Sequence, residues 1–119
     1  MLQPLPDLPA GVIGFEVDGE LHADDYKQTL LPAVDEAAAG DGVRLVLVFT
    51  KFEGLSAGAF AQDFKLGARH LSAWKRTALV TDIEWMTHLV SIFGWMTPGE
   101  FRHFPLDERA AAIAWAAEK

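Results

Sequence analysis

Four histidines, His22, His70, His88 and His103, are the side chains best suited to proton transfer or metal binding near neutral pH. They are scattered, and no two have the close spacing of metal ligands. The carboxylate pairs Asp24-Asp25 and Asp35-Glu36 could divide acid and base roles. Both fall in a stretch of helical periodicity, where they read as solvated helix charges. Asp82 directly follows an apolar run expected to be a strand, and ligands of open α/β sheets bind outside the carboxyl ends of strands. A lone carboxylate there also serves as the N-cap of a following helix. No G-x-S-x-G, Walker A or G-x-G-x-x-G motif is present. The chain has no cysteine, which excludes thiol chemistry, thiolate zinc sites and a disulfide scaffold. These residues point to no reaction, no metal and no cofactor, so the chain reads as a binding module rather than an enzyme.

Two features could hold an anion. Ser56 is expected at a helix N-terminus just after a central strand, where a phosphate is electrostatically welcome and where a serine also serves as a cap. Lys65, Arg69, His70, Lys75 and Arg76 gather at the end of one expected helix and the start of the next strand. Such a cluster complements a helix C-terminus or forms a solvated face. It could also meet an anionic headgroup, at about 1 kcal/mol per basic residue near an anionic bilayer. Ten Lys+Arg against 17 Asp+Glu give a net charge of −7, which argues against nucleic-acid binding.

The segment 83–96 is the most informative. Nine of its fourteen residues are apolar. At 100° per residue, Ile83, Trp85, Met86, Leu89, Val90, Ile92, Phe93 and Met96 fill about half of a helix circumference, and Trp95 falls beside His88 on the other side. A helix on a sheet needs a stripe only somewhat over ~100° wide. The surplus, carried by Trp85, Leu89, Ile92, Phe93, Trp95 and Met96, has three outlets. It can be buried under a neighbouring helix, join a second copy in a homodimer, or form a patch for a lipid surface or an apolar small molecule.

These residues must be positioned by a scaffold, and 119 residues suit one domain, 1–119. Met1 to Pro9 carries no positive charge and no long apolar stretch, which predicts no secretory signal and a cytoplasmic protein, with peripheral membrane association if the apolar segment meets lipid. The three prolines there predict an extended arm or an antiparallel edge strand. Strands are expected over Val12–Asp18, Leu45–Phe49, Thr77–Thr81 and Phe101–Phe104. Helices are expected over His22–Ala39, from Ser56 to beyond Leu71, over 83–96, and after Pro105. A turn is expected at Glu53-Gly54, and Pro32 should kink the first helix or shorten its first segment. The order β(β)αβαβαβα predicts an α/β fold: a mixed, mainly parallel sheet of four or five strands with four helices and right-handed crossovers.

The pieces together resemble the SpoIIAA-like family, a STAS-like group of small bacterial proteins. The resemblance covers nearly the whole chain. It rests on Leu5-Pro6-Asp7-Leu8-Pro9-Ala10-Gly11-Val12, Ala23-Asp24-Asp25-Tyr26, Val43 to Phe49 with Phe52-Glu53-Gly54, and Val80-Thr81-Asp82 followed by Trp85. It continues in Phe101-Arg102-His103-Phe104 and Ala112 to Trp115. It implies a STAS-type domain. The anti-sigma-factor antagonists of the wider class act by binding a protein partner, switched by phosphorylation of a serine after a central strand. Ser56, in Gly54-Leu55-Ser56-Ala57-Gly58, is the nearest match by position, although the Asp-Ser-Ser-Gly core is absent. SpoIIAA-like members are also similar in fold to lipid-binding CRAL-TRIO-type domains, which implies membrane association or apolar ligand binding through mobile helices.

Overall fold

The computed structural model describes residues 2–6, 8–21, 23–40, 42–55, 73–84 and 99–118. Its centre is a sheet of β1 (Leu2–Pro4), β2 (Ile13–Leu21), β3 (Val43–Leu55), β4 (Trp74–Thr81) and β5 (Glu100–Phe104), in that spatial order. β1 runs antiparallel to β2, and the other three pairings are parallel. The mixed five-stranded sheet matches the expectation, and the proline-rich arm is its antiparallel edge. Pro4 ends β1 at that edge, where a missing N–H is best tolerated.

β2 runs to Leu21 rather than ending at Asp18, and two further boundaries depart from the expectation. Glu53-Gly54 is no turn: β3 continues to Leu55, paired with β2 through Glu20↔Gly54 and Leu21↔Leu55. Two register shifts in this stretch of β2 let the ribbon twist while it keeps its ladder. Lys75 and Arg76 lie inside β4, which begins at Trp74 rather than Thr77. Val43 pairs with Trp74 but Arg44 with Arg76, so Lys75 is the extra residue of a bulge.

The first expected helix is broken in three. α1 (Ala23–Asp25) leads into a π-helical stretch, Tyr26–Leu30, and then α2 (Leu31–Ala39). Pro32, at the start of α2, has no N–H to return to the preceding turn and its ring crowds the carbonyl four residues back. A wider i→i+5 turn ahead of it relieves both. The last helix, α3 (Arg109–Ala117), follows a 3-10 turn, Leu106–Glu108. These are the first and last of the four expected helices; those expected from Ser56 and over 83–96 lie outside the described residues, apart from Ile83 and Glu84.

Register sorts the side chains into two faces. Ile13, Leu45, Thr77 and Phe101 form one row, with Phe15, Leu47, Leu79 and His103 above it and Val17, Phe49 and Thr81 above that. Leu31 and Val34 of α2 pack on this first face with Leu30 and Trp74. The second face carries Val46, Val48, Ala78, Val80 and Phe104, covered by Ala112 and Ala116 of α3 and by Leu5 and Val12 of the arm. With apolar side chains on both faces, β3 reads as a continuous apolar run rather than an alternation.

Thr77 is the exception in the first core: its hydroxyl is buried with no hydrogen-bond partner among the described residues. An unpartnered buried hydroxyl costs about 1–3 kcal/mol. Thr77→Val keeps the branched shape and removes that cost, so thermal melting should show a midpoint equal to the parent's or higher. A clear drop would mean that the hydroxyl has a partner in solution.

Candidate functional site

The carboxyl end of the parallel strands has a step. Phe49 is level with Thr81 at the end of β4, yet β3 runs on to Leu55 beside four further residues of β2, roughly 13 Å at ordinary strand rise. At the foot of the step a short chain of hydrogen bonds fixes the exits of β4 and β5. The Thr81 hydroxyl donates to the Phe49 carbonyl at 3.1 Å and accepts the Ile83 N–H at 3.1 Å. The Thr81 carbonyl accepts from His103 Nε2 at 2.8 Å, which places the proton on that nitrogen because a carbonyl cannot donate. Asp82 Oδ1 accepts the Leu106 N–H at 3.0 Å. Asp82 thus caps the turn that opens the last helix, an N-terminus far from it in sequence. The side chain is exposed, and among the described residues no group of three His, Asp or Glu gathers around it.

The amino end is electrostatic. Arg44 and Arg76 stand side by side in register on the second face and grip the end of α3. Arg44 Nη1 donates to the Ala116 carbonyl at 2.7 Å and to the Glu118 carbonyl. Arg76 Nη1 donates to the Trp115 carbonyl at 2.7 Å and to Glu118 Oε2 at 2.9 Å, while its Nε donates to Glu100 Oε2 at 2.8 Å. The same guanidinium lies 4.9 Å from the Trp115 ring centroid. Cations here satisfy the carbonyls that a helix C-terminus leaves without partners. Beyond this cluster, between β5 and α3, lies a groove of about 410 Å³ lined by Arg102, Phe104, Glu108, Ala111, Ala114 and Trp115 among others.

Among the described residues, the expected site residues fall at the two ends of β4. Asp82 and Ile83 are at the carboxyl end; Lys75 and Arg76 are at the amino end, about 20 Å away along β4. Arg76 spends its guanidinium on internal carbonyls and carboxylates, and Lys75 is exposed. Ser56, Lys65, Arg69, Trp85, Leu89, Ile92, Phe93, Trp95 and Met96 lie outside the described residues. Reasoning from sequence missed Arg44, Glu100 and Glu118 as partners of the last helix. One signal was present: Arg44-Leu45-Val46-Leu47-Val48 and Arg76-Thr77-Ala78-Leu79-Val80 share one pattern, as adjacent parallel strands with a common partner at one end would.

A mixed five-stranded sheet with an antiparallel first edge and helices on its faces defines an α/β domain of the STAS kind. The SpoIIAA-like family model matches residues 12–117, and the chain belongs to that family. The fold is that of a binding or regulatory module. No curated protein matches the sequence. Among solved structures, an uncharacterised protein of the DUF3478 family with a SpoIIAA-like fold, from Shewanella loihica PV-4, is similar with a TM-score of 0.79 and 28% identity, over 98% of this chain and 93% of that one.

Proposed function

We propose that the chain is a non-catalytic binding module that takes up an alkyl chain, from an apolar small molecule or a membrane surface, through the segment 83–96. The observation that carries the reading is the apolar arc of that segment, about twice the width that one sheet contact uses. The ends of the connection support it. Ile83 is half-buried against the first core at the carboxyl end of β4. Gly99 rests on the Trp74 and Lys75 carbonyls at the amino end. A fourteen-residue helix is about 21 Å long, close to the roughly 26 Å of β4 itself. One helix of that length would match the gap, and a right-handed crossover would carry it over the first face. Exposed Lys75 then stands a few residues from the end of the segment, where a basic group suits an anionic headgroup. Among the described residues no helix is long and apolar enough to cross a membrane.

Co-sedimentation with phosphatidylcholine vesicles, with and without phosphatidylglycerol, tests the membrane arm, and fluorescence titration with a dansylated fatty acid tests the small-molecule arm. Binding in at least one arm is expected, weakened at least about tenfold by Trp85→Ser with Phe93→Ser, since each large apolar side chain contributes about 1.5–3 kcal/mol when buried. Absence of binding in both arms overturns the proposal. A second reading, a protein-interaction regulator switched at Ser56, is favoured by the position of Ser56 directly after the long β3. It fails if Ser56→Glu captures the same proteins as the parent.

A further inference from the structure

β5 is the outer strand of the sheet, with β4 as its one strand neighbour among the described residues. The opposite edge is blunted: β1 is three residues long, ends in Pro4 and is followed by Pro6. β5 has five residues and no proline, so its outer N–H and C=O groups are a template for another strand. The groove beside it is lined by Arg102 and Phe104 of β5 and by Trp115 of α3, and the Phe104 and Trp115 rings sit 5.8 Å apart.

We propose that a second copy of this chain occupies this edge, its β5 pairing antiparallel with the first about a two-fold axis. The register follows from symmetry. An axis perpendicular to the sheet keeps each side chain on its own face, so opposed residues must have the same parity, and the axis must pass through a residue. Centred on Arg102, the pairing sets two guanidinium groups against each other, which is destabilising. Centred on His103, it sets Phe101 against Pro105, which has no N–H to give the ladder. Centred on Phe101, it sets Glu100 opposite Arg102 twice, once on each side of the axis, and the nearest proline, Pro98, is one position further from the axis than Pro105 is in the pairing centred on His103. Both side chains are exposed and lie on the second face with Ala78 and Arg76. Glu100 uses Oε2 for Arg76, and in this pairing Oε1 is the oxygen assigned to the second copy's arginine. Arg102 rests its guanidinium 5.0 Å from the Phe104 ring centroid at the mouth of the groove. The two grooves then face one another across the axis, each bringing Arg102 and Glu108. The contact is isologous and closes at two subunits. It is a different surface from the segment 83–96 and does not rest on the alkyl-chain reading.

Sedimentation velocity on the full chain tests this. A dimer is expected at tens of micromolar. Arg102→Glu and Glu100→Lys should each weaken it by about tenfold, because each places like charges in both cross-strand pairs. An equimolar mixture of the two variants should dimerise again, since every reversed side chain then meets its opposite. Circular dichroism of each variant confirms that the fold persists. A monomeric parent overturns the proposal. So does a dimer indifferent to both charge reversals, or one lost only on Trp85→Ser.

Discussion

Gly99→Ala is expected to destabilise the fold by about 3 kcal/mol, a large loss for a single methyl group. The residue has φ +74°, a left-handed conformation that costs an L-residue roughly 1–2 kcal/mol. Space is the larger obstacle. An added Cβ would stand 2.7 Å from the carbonyl oxygens of both Trp74 and Lys75. These are backbone atoms at the bulge that starts β4, so neither can turn aside. Gly42 lies against the same bulge, with φ +113° and a Cβ position 2.8 Å from the Ala73 carbonyl oxygen. The amino ends of β3, β4 and β5 thus converge at a point that leaves no room for side chains on the linking residues. Urea unfolding should show a lower midpoint with an unchanged slope. Gly11→Ala is the control: φ is +86° but nothing lies within 4 Å of the added atom, so it should lose the conformational share alone. Equal losses at the two positions would show that the close approach at Gly99 is not a constraint.

What the sequence makes legible is what short-range patterning controls. The apolar runs around Leu45–Phe49 and Thr77–Thr81 announce covered strands, Pro32 announces a fault in the first helix, and the proline arm announces an edge. Pairing over long range is not legible in the same way. Glu53-Gly54 has the composition of a turn, yet it is held extended because Glu20 and Leu21 of β2 run alongside it. The bulge at Lys75 exists because Gly42 and Gly99 let neighbouring strands close in on it, and neither contact can be read from the residues around Lys75. The two described members of the basic cluster part for the same reason. Composition gathered Lys75 and Arg76, but the bulge separates their roles, leaving Lys75 exposed while Arg76 turns toward the end of α3. Asp82 shows the converse. Its type and position suggest a cap for the helix that follows it, but the N–H it satisfies belongs to Leu106, brought to it by the pairing of β4 with β5.

Arg76→Leu is expected to cost about 2–3 kcal/mol, and how that loss responds to salt identifies its source. The arginine side chain is 20% exposed, whereas Glu100 and Glu118 are 65% and 62% exposed. Ion pairs to carboxylates so open to water contribute about 0–1 kcal/mol and are screened by salt. The bond to the Trp115 carbonyl is different in kind. It is a charged hydrogen bond to a carbonyl at the end of α3, with the Trp115 ring against the same guanidinium, and such bonds are worth about 1.5–3 kcal/mol. Leucine fills some of the space but leaves that carbonyl without its donor. Lysine keeps the charge and loses the planar fork that reaches the carbonyl and both carboxylates together, so Arg76→Lys should fall between parent and Leu. In urea titrations at low and at molar salt, most of the gap between parent and Arg76→Leu should survive the salt. If it closes, the carboxylates carry the energy, and the grip on the last helix is an ordinary surface ion-pair network. If it persists, Arg44 and Arg76 act as a paired cap for α3, and through α3 they hold one wall of the groove at the β5 edge in place.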